Sequence, residues 1–168
     1  MGGILDIQEA YDNNETILTK TGFEKLKDEL DHLVSVKRKE VAARLKEAKS
    51  FGDLSENSEY EDAKNEQAFV EGRIREIKHV MMHAHIVDTK QAKTDSVTVG
   101  LTATLKDLET GKSHDFKLVG SYEADPDLLQ ISHESPVGKA IMDKKVGDIV
   151  VIELPHGALR YRVEKIKK

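Results

Sequence analysis

The 168-residue chain has no cysteine, no tryptophan, only three prolines, and few aromatic residues. Without cysteine, disulfides and thiolate metal sites are excluded, which fits a reducing compartment. No apolar stretch approaches the roughly 18 residues of a membrane span, and the N-terminus lacks a basic segment leading into a hydrophobic one. Membrane insertion and export are therefore not expected, and the cytoplasm is the expected location. A phosphate-cradling glycine loop and a Ser-His-Asp arrangement are also missing. All three prolines lie after residue 125, so none interrupts the long charged segments before them.

Charge is abundant but balanced. Residues 1–18 carry Asp6, Glu9, Asp12 and Glu15 and no Lys or Arg, which is −4 of the total −5. Residues 19–85 hold 13 basic and 14 acidic side chains, and residues 86–168 hold 13 of each. The nearly neutral body says little about partners, because the acidic balance sits in the first segment. Residues 1–18 show no period and few large apolar groups, and are read as a mobile acidic extension.

From Phe23 onward the apolar positions recur at helical spacing: Phe23, Leu26, Leu30, Val34, Val41, Leu45 and Ala48, with Lys37 the one polar break. Thr21 with Glu24 offers a capping box, and Thr19 could cap one turn earlier. Gly52 is placed to stop the helix. A second seam follows a heptad through Tyr60, Ala63, Gln67, Val70, Ile74, Ile77, Met81 and Ala84, with Ser55 or Asn57 able to cap it. Neither arm is apolar enough to sit in a core, so the two must bury each other. Residues 19–85 are thus expected to form an antiparallel coiled-coil hairpin with its tip at 51–57, Phe23 near Ala84 and Ala48 near Tyr60. At 1.5 Å per residue, each arm would run about 45 Å. An intramolecular seam needs no second chain, so a monomer is expected.

After Ile86 the period changes. Val97–Leu105, Lys117–Gly120, Ile149–Leu154 and Leu159–Ile166 read as short alternating strands separated by turn signals, and Pro136–Met142 as one short helix. The fold class is therefore α+β: a helical hairpin followed, over residues 86–168, by a small antiparallel β domain with one helix.

The chemistry concentrates at the turn Gly52-Asp53-Leu54-Ser55-Glu56-Asn57. Asp53 and Glu56 are three apart and share a face if the tip is even partly helical. Their plainer role would be to complement the dipole of the second helix. Two exposed carboxylates cannot hold a divalent cation tightly alone, since magnesium is typically bound by one or two carboxylates plus waters and substrate phosphates. A partner already holding one metal and a phosphodiester could supply the rest of a two-metal site. Arg44, Lys49 and Lys64 lie within a few turns of the tip and could touch phosphate, or could be solvated helix flanks satisfied by i to i+4 pairs. Lys37-Arg38-Lys39 spreads around the helix. His79, His83 and His85 bring no third ligand into view and read as a solvated helix end.

Two stretches are specific enough to carry a resemblance. Gly52-Asp53-Leu54-Ser55-Glu56-Asn57-Ser58-Glu59-Tyr60, followed by Glu66-Gln67-Ala68-Phe69-Val70-Glu71-Gly72-Arg73-Ile74, closely resembles the tip and second arm of bacterial GreA-type transcript cleavage factors. Ser135-Pro136-Val137-Gly138-Lys139-Ala140, running on to Lys145-Val146-Gly147-Asp148, resembles their second half. The resemblance implies a coiled coil that enters the secondary channel of bacterial RNA polymerase and a C-terminal FKBP-like domain that docks at the channel rim. It implies that Asp53 and Glu56 help the polymerase hold a second Mg2+, so that backtracked nascent RNA is cleaved near its 3′ end and arrested complexes are rescued. Asn57 and Tyr60 would be nearby support, and Ser135 and Pro136 candidates for rim docking. The chain would be a catalytic accessory with no activity alone.

Asp143 stands where the family usually has glycine, and Tyr122 where it commonly has an acid, which bears on docking and not on the tip. With Phe116, Tyr122 and Tyr161 its only aromatics, the second half is not expected to hold an aromatic-lined prolyl isomerase pocket. A channel-binding Gre paralogue that inhibits without cleavage is the alternative, and a purely structural coiled coil a third reading.

Overall fold

The computed structural model describes residues 15–50, 58–90, 92–155 and 157–168. It divides into two compact units, Glu24–His83 and a second formed by Ala84–Lys168 with the chain up to Phe23.

In the first unit, helix α1 (Lys20–His32) passes through a π-helical segment, Leu33–Lys37, into α2 (Arg38–Ser50), and α3 spans Ser58–Met82. Of the two caps the sequence offers, Thr19 is used: its Oγ1 accepts the Gly22 N–H at 3.0 Å. The wide π turn coincides with Ser35, whose hydroxyl donates to the Asp31 carbonyl at 2.6 Å, a side-chain bond that loosens the local helical ladder.

That extra width shifts the seam. Val34, expected inward, is 36% exposed, and Leu33 packs instead, with Leu30 and Leu45, against buried Val41, Val70 and Ile74. On α3 the buried positions are Ala63, Val70, Ile74, Ile77 and Val80. Gln67 is exposed and Met81 half-buried. The inward face moves from Met81 to Val80 because a helix of 3.6 residues per turn drifts against a strict heptad. The arms are tied by charge as well as packing. Arg73 donates to both carboxylate oxygens of Glu29 at 2.7 and 3.0 Å, and Arg38 to both of Glu71 at 2.6 and 2.7 Å. Hydrogen bonding to Glu29 raises the Arg73 pKa, and Arg38 holds the Glu71 carboxyl below its usual range. The run Lys37-Arg38-Lys39 is thus partly spent inside the hairpin, Arg38 on Glu71 and Lys37 on Glu40 at 2.8 Å.

Ala84 does not continue the second arm. It opens strand β2 (Ala84–Val87), which pairs in parallel with β1 (Thr16–Thr19). Thr16–Leu18, read from sequence as the end of an extension, are therefore part of this unit, with Ile17 and Leu18 at 1% and 0% exposure. Four-residue strands are too short to display the alternation by which strands are recognised. The rest of the expected extension, residues 1–14, lies outside the described residues.

The second sheet contains β3 (Thr102–Asp107), β4 (Ser113–Val119), β5 (Gln130–Ser132), β6 (Ile149–Leu154) and β7 (Gly157–Lys167) in the order β5-β4-β3-β7-β6. Its β3–β4, β3–β7 and β6–β7 pairs are antiparallel, but β5 joins β4 in parallel, so the unit is mixed where an antiparallel sheet was expected. Strand β3 starts five residues later than the apolar run suggests. Leu101 N–H bonds Thr98 O at 3.1 Å and Gly100 takes φ 91°, a turn that extended residues cannot follow. Val97, Val99 and Leu101 are nevertheless fully buried. Helix α4 (Pro136–Ile141) sits where the sequence placed it.

Candidate functional site: the hairpin tip and the Ser-Pro helix

α2 ends at Ser50 and α3 begins at Ser58, so the acidic stretch 51–57 falls in sequence between the two arms. Asp53, Glu56 and Asn57 themselves lie outside the described residues. The flanking helical turns are narrow: Ala48 and Ala63 are 3% and 0% exposed, and small side chains at those positions let helices approach closely.

Tyr60, in the first turn of α3, is half-buried, and the Nζ atoms of Lys49 and Lys64 each lie 6.0 Å from its ring centroid. That is cation–π range, worth about 0.5–1 kcal/mol per exposed contact. The geometry brings together three residues picked from sequence, one from α2 and two from α3. Neither lysine makes an ion pair with another described residue. Arg44 is differently placed. It donates to Glu66 and reaches Glu59 Oε2 at 3.4 Å, so any phosphate would have to compete with two carboxylates. Glu59 and Glu66 were not singled out in the sequence. The signal was available, since both are acidic flank positions facing a basic flank across the seam.

Ser135 and Pro136 have local structural work. Ser135 Oγ accepts the Gly138 N–H at 3.0 Å and donates to the Ser132 carbonyl at 2.7 Å, while Pro136 occupies the first turn, where a missing N–H costs nothing. Gly138 completes the motif: a Cβ there would come within 2.0 Å of Ser132 O and 2.8 Å of His133 Cα, backbone that cannot yield. Ser-Pro-x-Gly is thus a capped helix pressed onto the β5 end. Just before it in sequence, Glu134 and His133 line a cleft of about 240 Å3 with Glu15, Thr16, Ile17, Ser121 and Tyr122. Tyr122 is the one Phe, Tyr or Trp among these seven lining residues.

His83 Nδ1 bonds the His79 carbonyl at 2.8 Å, and the two rings lie 4.4 Å apart between centroids, tilted by 36°. Among the described residues no group of three His, Cys, Asp or Glu is arranged to hold an ion, and no helix is long and apolar enough to cross a membrane.

A family model described as "Transcription elongation factor, N-terminal" matches residues 16–86, and one described as "Transcription elongation factor, GreA/GreB, C-term" matches residues 91–168. The chain belongs to the GreA/GreB family of transcription elongation factors. Transcription elongation factor GreA of Syntrophomonas wolfei is 49% identical over 157 residues, 94% of this chain and 99% of that protein. GreA of Acetivibrio thermocellus is 46% identical over 156 residues, 93% of this chain and 98% of that one. Among solved structures, GreA factor homolog 1 (Gfh1) of Thermus thermophilus aligns at 29% identity with a TM-score of 0.42, over 92% of this chain and 99% of that one.

Proposed function

We propose that this elongation factor inserts its hairpin into the secondary channel of bacterial RNA polymerase and delivers Asp53 and Glu56 to the polymerase's catalytic centre, where backtracked nascent RNA is cleaved near its 3′ end. The observation that carries the reading is the pair of acids in the connection between α2 and α3, in a chain whose relatives named GreA match nearly its whole length. Two carboxylates in the short connection between paired helices bring too few ligands for a metal site of their own. Chemistry there is completed by whatever surrounds the turn in a complex.

The donor set fits a hard divalent cation. Asp53 and Glu56 offer only oxygen, which suits Mg2+, and too few ligands to hold it without polymerase and RNA groups. Once held by those combined ligands, the ion would supply water activation and stabilisation of the leaving oxygen. The chain's own residues would position it: the paired arms hold the acids at a fixed reach, and Lys49 and Lys64 beside Tyr60 present two cations where the RNA backbone would pass. The chain is accordingly an accessory that hydrolyses nothing unaided.

The test is RNA length in stalled elongation complexes. Wild type should shorten the transcript, and Asp53→Ala with Glu56→Ala should lose at least about 100-fold in stimulated cleavage rate while retaining polymerase affinity, the scale expected when a charge-stabilising group is removed from a catalytic centre. Unshortened RNA with slowed synthesis by wild type would instead identify a channel-blocking inhibitor.

A further inference from the structure

α3 carries two features on one face that the folding of this chain does not explain. Phe69 is 73% exposed, an apolar ring that gains little from burial within this chain. Gly72 lies in the middle of α3, where glycine is less stable than alanine, yet a Cβ built on it meets no described atom within 4 Å. Nothing in the hairpin's own packing requires the side chain to be absent. The two residues are i and i+3, adjacent on the helix surface. A protruding ring beside a bare stretch of backbone suits a partner surface that takes the ring as an anchor and closes onto the helix beside it.

The neighbouring charges narrow the partner. Asp62, Asn65, Phe69, Gly72 and Glu76 follow one another at three- and four-residue intervals along this face, with two carboxylates and no cation. Glu76 is met by Arg73 at 3.0 Å, while Asp62 has no ion pair among the described residues. Nucleic acid is disfavoured there, because its phosphates would be repelled. We propose that the Phe69–Gly72 face docks onto a protein surface of the polymerase channel, an apolar socket rimmed by lysine or arginine side chains. This rests on the channel-entry reading above and adds to it a contact well away from the acidic turn.

Phe69→Ala and Gly72→Ala test it, each read by thermal unfolding of the free chain and by affinity for core RNA polymerase. Phe69→Ala should leave the melting temperature within about 1 °C of wild type and weaken binding roughly 30-fold, the scale of an interface anchor. Gly72→Ala should raise the melting temperature by about 2 °C and nevertheless weaken binding roughly tenfold, by propping the surfaces apart. Wild-type affinity in either variant overturns the docking face while leaving channel entry intact, and so does a melting temperature that falls in Gly72→Ala. If wild type itself fails to bind polymerase, channel entry is refuted and this socket with it.

Discussion

The hairpin and the sheet unit bury apolar surface on different terms. In the sheet unit thirteen buried apolar residues form a single cluster, drawing on the β1–β2 pair, the five-stranded sheet and α4 together. In the hairpin the central cluster has three buried members, Val41, Val70 and Ile74, fringed by half-buried leucines. Alongside it run Arg38–Glu71, Arg44–Glu66 and Arg73–Glu29, ion pairs joining the arms. A two-helix seam has only one neighbour to bury against, so its stability is spread thinly along its length and much of its surface stays free for a partner. The sheet unit concentrates its stability at the centre and tolerates little there.

The largest expected effect follows from that contrast. Leu105→Ala, at a fully buried position of β3, should cost about 3 kcal/mol, while Leu45→Ala, half-buried in the hairpin, should cost about half as much. Denaturant unfolding of both variants measures the two, and equal costs would break the comparison. Smaller, and specific to the hairpin, is the coupling of Arg73 to Glu29. Both side chains are partly solvated, 27% and 39% exposed, so a double-mutant cycle with Arg73→Met and Glu29→Gln should give about 0.5–1 kcal/mol, reduced in 1 M salt. A coupling that ignores salt would mean that packing, not charge, joins the arms there.

Smallest is a gain in the sheet unit. Asp143 has φ 58°, the left-handed region that glycine occupies without a Cβ penalty, and its N–H bonds Val97 O at 2.8 Å. Asp143→Gly should stabilise by about 0.5 kcal/mol in the same unfolding measurement, the steric relief exceeding the added freedom of the unfolded chain. Destabilisation would show that the Asp143 side chain does more than tolerate the turn.

Legibility in the sequence divides along the same line. Helical periodicity announced both arms, because one-sided burial over twenty-five residues repeats often enough to be seen. It misplaced Val34 and Met81, because a π turn and heptad drift each rotate the inward face by a fraction of a turn without leaving a compositional mark. β6 and β7 alternate clearly, and the short helix expected from Pro136 is α4. β1, β2 and β5 were missed, being three or four residues long and paired in parallel, β1 and β2 with the whole hairpin between them. Of the candidate site, Lys49 and Lys64 were picked for their nearness to the acidic stretch and Tyr60 through the resemblance, and the meeting of both lysines with the Tyr60 ring was not foreseen. The commitment of Arg44 to Glu66 and Glu59 depends on which side chains face each other across the seam, information that spacing along one helix does not hold.

The central claim is that Asp53 and Glu56 provide part of a magnesium site that polymerase and RNA complete. Its most direct measurement is the rate of transcript shortening in a backtracked elongation complex over a magnesium titration, with no factor, with wild type and with the Asp53→Ala, Glu56→Ala variant. Wild type should move the half-maximal magnesium concentration well below that of the polymerase alone, and the variant should return the curve to the factor-free position while still binding. A variant whose magnesium curve overlays that of wild type would contradict the claim.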